Sequence, residues 1–266
     1  MDRPTVALSP SRASDFKWCP QLYKYRVIDR LPEPPDPASA RGSLVHSVLE
    51  RLYALPAGER TFERADQLID EVWGPLRQDP ELVGLELPSG DEAGWLGEVR
   101  GLLSNAFRLE DPRDVAVHDL ESRVEHDAAR VLLRGIIDRI DVAPDGEWVL
   151  TDYKTGRSPS DAWAFGSFFA LRFYALLCWR AFGKMPRALR LVHLREPEVI
   201  TLYPTQAMLL ALERQLEALA RAIARARSTG DWRPRPGPGC SWCPHRAICP
   251  AMGAPQAEPQ PQLALA

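Results

Sequence analysis

Residues 134–156 constrain the fold more than any other part of the chain. Two apolar runs are joined there by the turn signal Pro144-Asp145-Gly146; the first carries Asp138, and the second, Trp148-Val149-Leu150, ends in Asp152-Tyr153-Lys154. This pattern predicts a β-hairpin. Side chains alternate along a strand, so Asp152 and Lys154 project to one side, and the neighbouring strand can bring Asp138 to them. Two carboxylates gathered at a sheet are costly unless a cation neutralises them, and hard oxygen ligands favour Mg²⁺ or Mn²⁺. A metal site is therefore expected on this hairpin.

The rest of the pattern surrounds the hairpin with helices. Ser9-Pro10-Ser11 signals a helix start, followed by Phe16, Cys19, Leu22, Tyr23 and Val27 at roughly helical spacing. Residues 31–37 are proline-rich and read as a loop. Gly42 to His46 opens an amphipathic helix with Leu44, Val48, Leu49 and Leu52 on its apolar stripe, and two further helical patterns cover 62–76 and 92–109. Strands are predicted over 115–124 and 129–142, continued by the hairpin, then a helix over 162–182, strands over 188–194 and 198–203, and a long helix over 206–227. This order predicts an α/β core with a helical insertion before it. A single domain is expected over 1–250, made of an N-terminal helix (9–30), a helical region (39–110), the core (113–228) and a cysteine-rich loop (232–250). Residues 251–266, rich in Pro, Gln and Ala, are expected to be a disordered tail.

Net charge is −3. That argues against a highly basic nucleic-acid coat protein and leaves open an enzyme whose acidic residues hold metal and whose basic residues act locally. Two runs of such residues, Arg180 to Arg195 and Arg221 to Arg246, read equally as solvated faces or as binding patches. No signal peptide is evident, and the most apolar stretch, 165–182, is broken by Arg172 and Arg180. A cytoplasmic protein without membrane contact is expected.

Five cysteines in such a chain point to metal or inert thiols rather than disulfides. Cys240, Cys243 and Cys249 form C-x₂-C-x₅-C in an irregular segment, and need a fourth ligand. Cys19 is the candidate, because Cys178 sits in an apolar helix and reads as a core residue. An iron–sulfur cluster of the 4Fe–4S type accepts three close cysteines and a distant fourth; zinc would accept Cys₃His with His245; free thiols are the third reading. Either metal would clamp the two ends of the chain together.

Together these features resemble the RecB-type branch of the PD-(D/E)XK nuclease superfamily in its iron–sulfur form. The resemblance rests on Gly42 to His46 (G-x-x-x-H), Gly135 to Asp141 (G-x-x-D-R-x-D), Asp152 to Gly156 (D-Y-K-T-G), Tyr174, and Cys19 with the C-x₂-C-x₅-C cluster. It implies a restriction-endonuclease-like core, a mixed central sheet flanked by helices. It further implies that Asp138 and Asp152 hold Mg²⁺ or Mn²⁺ with His46 and the backbone carbonyl of Tyr153, that Lys154 is the catalytic lysine, and that Cys19, Cys240, Cys243 and Cys249 hold the cluster. The helix after the hairpin usually carries Q-x-x-x-Y; Tyr174 fits, while Ala170 stands where glutamine is usual.

The implied activity is metal-assisted hydrolysis of DNA, as an exonuclease on single-stranded or frayed ends in recombination and repair. The alternatives are a catalytically weak DNA-end binder or adaptor, and a zinc-stabilised interaction module. No Walker A motif is present, so a helicase partner would be a separate polypeptide. Asp141 reads as a strand-end partner of Arg139, and Glu121 as a solvated strand residue with a smaller claim on the metal. Trp18, Trp232 and Trp242 are expected to pack around the cluster or its loop.

Overall fold

The computed structural model describes residues 6–87, 90–128, 131–157 and 168–253. Among these, six strands form one mixed sheet. Its longest members, β2 (Val117–Ala128) and β3 (Val131–Val142), are antiparallel and in register from Ala128↔Val131 to Asp119↔Ile140, with a shift before Val117↔Asp141. Because β2 takes one edge of β3 along its length, all other partners of β3 share the opposite edge. There β1 (Val6–Leu8) runs parallel to residues 131–133, and β4 (Trp148–Lys154) runs antiparallel to residues 139–142. Residues 134–138 fall between the two pairings, so the sheet forks at Asp138. Beyond Thr151, β4 leaves β3, and Asp152, Tyr153 and Lys154 pair with the parallel strand β5 (Ala188–His193); β6 (Glu198–Leu202) follows antiparallel.

Helices cover both faces. In chain order they are α1 (Pro10–Trp18), α2 (Pro20–Tyr23), α3 (Pro37–Ala54), α4 (Phe62–Leu76), α5 (Glu92–Leu109), α6 (Phe169–Phe182) and α7 (Gln206–Thr229). Strand alternation sends Leu189 and Leu191 to one face, where they join Leu150, Leu171, Phe173, Leu177 and Ile223 from the sheet, α6 and α7. Val192 and Leu194 go to the other face, with Tyr153, Leu44, Val48, Leu52, Ile69 and Leu103. The site thus lies in a sheet buried on both sides, open at its fork.

The N-terminus departs from the expected single helix. Pro20 disfavours helical geometry at the residue before it, and Cys19 is extended (φ −154, ψ 115), ending α1 and starting α2. The chain then continues as a π-helix over Lys24–Asp29, closed by left-handed Arg30. Similarly, α3 begins at Pro37 rather than near Gly42: Asp36 accepts from Ser39 N at 2.7 Å and proline is tolerated at the first helical position. The start of the helix expected over 162–182 and most of the expected tail lie outside the described residues.

Candidate active site

His46 reaches the fork from α3. One turn earlier, a Cβ at Gly42 would lie 3.2 Å from Thr155 Oγ1, so glycine lets the helix close on the end of β4. His46 Nε2 donates to the Tyr153 carbonyl at 3.1 Å, and Nδ1 lies 3.3 Å from Asp138 Oδ2. A carbonyl can only accept, which assigns a hydrogen to Nε2. A neutral ring then offers Nδ1 as a second acceptor facing a carboxylate, an arrangement that needs a proton between them. A divalent cation meets the same need.

Asp138 Oδ2 also accepts from Tyr153 N–H at 3.0 Å. Burial, followed by the neighbouring Asp152 charge, raises the Asp138 pKa above the usual carboxylate range. Glu121 completes a compact group: one ligand atom each from His46, Glu121 and Asp138 lie within 4.8 Å of one another, a spread that suits the ligands of one hard cation. Its position corrects the solvated reading. Leu120↔Arg139 and Ser122↔Ile137 are register pairs, so Glu121 stands across from Asp138, with a left-handed backbone (φ 44). That conformation costs a non-glycine residue roughly 1–3 kcal/mol and persists only where the surroundings impose it. Sequence carries no mark of it.

Asp152 and Lys154 share a side of β4, with Nζ 2.5 Å from Oδ2. Asp152 is 4% exposed, yet its Oδ2 takes no well-directed hydrogen bond. A buried oxygen with spare accepting capacity, a neighbouring carboxyl of raised pKa and an imidazole together fit a hard divalent cation. Tyr174 on α6 covers the fork. Its phenol is raised by burial and then by Asp152, Asp138 and Glu121. Tyr174, Ala170, Asp152 and Lys154 line one cleft of ≈750 Å³. Gly135 makes room for the ring, because a Cβ there would lie 2.5 Å from Tyr174 Cε1. Gly135→Ala is expected to cost about 1–3 kcal/mol through overpacking, read by urea unfolding; unchanged stability would mean that the ring moves freely.

Behind the hairpin lies a buried network around Arg139 that spacing alone does not show. Arg139 is fully buried and pairs with Asp141 (2.8 Å) and Glu110 (2.6 Å), donates to Tyr153 Oη, and stacks 4.2 Å from the Tyr53 ring centroid. Tyr53 lies two turns beyond His46 on α3 and donates to Glu110 at 2.7 Å. Arg190 holds the second Glu110 oxygen at 2.9 Å. Asp141 is therefore Arg139's partner, as its spacing suggests, but within the core.

Cys19, Cys240, Cys243 and Cys249 line one cavity, together with Trp18 and Tyr25. Arg235 N–H and Gly237 N–H each approach a sulfur at 3.4 Å, those of Cys19 and Cys240. The Cys243 thiol is raised by burial and by the other three cysteines, so ionising all four together would be costly without a cation beside them. His245 Nε2 lies 2.8 Å from Glu33 Oε1 and the ring packs on Tyr25. Cys178 is buried in α6 with its thiol pushed up to about 12. Trp232 packs on Phe16 and Tyr23, whereas Trp242 is 81% exposed and does not pack as expected.

The two arginine runs are largely spent locally. Arg180 pairs with Glu213 (2.5 Å), Arg187 with Asp145, Arg190 with Glu110 and Arg233 with Asp231 (3.1 Å), while Lys184 lies over the Trp148 ring. No described helix is long and apolar enough to cross a membrane.

Residues 7–250 match the family model of the PD-(D/E)XK nuclease superfamily. The Gene 69 protein of Mycobacterium phage L5 is 27% identical over 292 aligned positions, covering 92% of this chain and 96% of the phage protein. A crystal structure from Eubacterium rectale named "Putative exonuclease" superposes with a TM-score of 0.62 at 14% identity, covering 96% of this chain and 90% of that one.

Proposed function

We propose, since the chain belongs to the PD-(D/E)XK nuclease superfamily, that it is a Mg²⁺- or Mn²⁺-dependent DNA exonuclease. It acts on single-stranded or frayed ends in recombination and repair, with residues 1–250 as one RecB-type nuclease domain. The observation that carries this reading is the fork, where Asp138, Glu121 and His46 converge beside the Asp152–Lys154 pair.

His46, Asp138, Asp152 and the Tyr153 carbonyl would hold the metal, with Glu121 as a further carboxylate. When bound, the metal supplies Lewis-acid polarisation of the phosphate and a lowered pKa for attacking water. Lys154 then orients that water or stabilises charge on the phosphate. Tyr174 lines the same cleft as Asp152 and Lys154. The test is cleavage of end-labelled single- and double-stranded DNA with Mn²⁺, beside Asp152→Ala and Lys154→Ala. Cutting by wild type alone is expected; identical behaviour of all three sinks the proposal.

A second reading follows from Ala170. It lines the cleft beside Tyr174 without the amide that usually accompanies that tyrosine in the RecB-type branch, which favours a DNA-end binding adaptor working with a separate helicase. Binding without cleavage in the same assay selects it.

The four cysteines are proposed to hold a 4Fe–4S cluster. What supports this reading is that Cys19 lines one cavity with Cys240, Cys243 and Cys249, three close cysteines and a distant fourth, a set that such a cluster accepts. Purified protein should be brown with broad visible absorption; a colourless, zinc-containing protein refutes the assignment. Cys19→Ala is expected to lose this colour and much solubility and thermal stability, with less effect on cutting by the fraction that remains folded.

A further inference from the structure

The cleft has a second wall. Leu8, the last residue of β1, is the register partner of Leu133, so Ser9, the N-cap of α1, comes beside Arg134. Ser9, Ser11 and Ser14 line the cleft from α1, Arg123 and Arg134 from the sheet, and the same cleft ends at Asp152 and Lys154. Arg12 is half-buried, its pKa lowered by burial and then by the Arg134 charge. Among the described residues, no salt bridge holds Arg12, Arg123 or Arg134, although Arg123 is close enough to Glu121 to act on its charge; Glu125 also lines the cleft and is the cross-strand register partner of Arg134, yet forms no ion pair with it.

Neighbouring guanidiniums repel each other unless an anion lies between them, and guanidinium forks match phosphate oxygens. Three hydroxyls in the same wall add neutral donors. Ile136, 43% exposed, and Phe169 give the cleft an apolar surface suited to bases and sugars. We propose that Arg123 and Arg134, with Ser11 and Ser14, form a phosphate track that holds the nucleotides of a single strand flanking the bond to be cut. The track rests on the nuclease reading for its choice of polyanion.

Full-length protein in EDTA, which prevents metal-dependent hydrolysis, is titrated into a short fluorescein-labelled oligothymidylate at several salt concentrations. The double variant Arg123→Gln/Arg134→Gln is expected to raise Kd at least ~10-fold and to reduce the slope of log K against log salt by about 1.4, at ~0.7 per lost phosphate contact. Arg64→Gln, on α4 and paired with Glu71, should leave both as in wild type. Ser11→Ala/Ser14→Ala changes exposed side chains without altering charge, and should weaken binding at unchanged slope. Wild-type Kd and slope in the arginine variant overturn the track, and so does wild-type affinity in the serine variant if the arginine variant fails to fold. Tighter binding of a duplex than of the single strand overturns the single-strand assignment. Absence of Mn²⁺-dependent cutting by wild type would count against the nuclease reading alone, because the binding assay requires no metal.

Discussion

Asparagine in place of Asp138 is expected to lower DNA hydrolysis by about 10³-fold or more, while raising the melting temperature by a few degrees. The two effects have one cause. Burial and the Asp152 charge make ionisation of Asp138 costly, and asparagine removes that cost while its amide oxygen still accepts from Tyr153 N–H. What it cannot replace is a charged oxygen ligand for a hard cation. A carboxyl whose folded-state pKa lies above its unfolded value loses stability as pH rises from the unfolded value through the folded one. The gain from Asp138→Asn is therefore present at neutral pH and vanishes below the ordinary aspartate range, where the wild-type group is neutral too. Thermal unfolding in EDTA at neutral and acid pH, beside single-turnover cleavage, reads both effects; a variant that cuts normally removes Asp138 from the mechanism.

Arg139→Met is expected to cost about 3–5 kcal/mol of stability, the largest loss from any single substitution around the hairpin. It leaves Glu110 and Asp141 buried without their shared cation. Burial would raise Glu110, but Arg139, with Tyr53 and Arg190, overrides it and holds the carboxyl at about 2. Its folded-state pKa is below the unfolded value, so this contribution is present above the ordinary glutamate range and is lost as pH falls towards about 2. Asp141 is pushed upward by burial, with Arg139 opposing, so Glu110 is the member that sets the acid dependence. In urea unfolding, the gap between wild type and Arg139→Met should narrow between neutral pH and pH ~3. Adding Glu110→Gln and Asp141→Asn should recover much of the loss, since no carboxylate is then stranded. If the single variant is as stable as wild type, the network does not hold α3 to the hairpin.

The neighbourhood of Asp138, Asp152 and Lys154 follows from two regularities visible in sequence, strand alternation and antiparallel pairing across a Pro-Asp-Gly turn. Helices α4 and α5 were equally legible, because Thr61 and Asp91 cap amphipathic runs. What escaped depends on contacts between distant segments. β1 has three residues and no period of its own; it exists because β3 offers an edge. Arg139 looks like any surface arginine until Glu110, twenty-nine residues earlier, is brought to it. Glu121 has its place only through a left-handed backbone opposite Asp138. Arg12 and Arg134 become a pair only when β1 lies along β3.

The junction between the two ends of the chain also sets an order of events during synthesis. Tyr25 donates to the Ile248 carbonyl, His245 meets Glu33, and Trp232 packs on Phe16 and Tyr23. Residues 16–33 thus wait for partners made more than two hundred residues later. Since α1 also supplies Ser9, Ser11 and Ser14 to the cleft, a nascent chain carrying every carboxylate of the fork still lacks a secured wall for the strand. A chain truncated before the cysteine loop is expected to keep an unsecured N-terminal segment that is an early target for proteases.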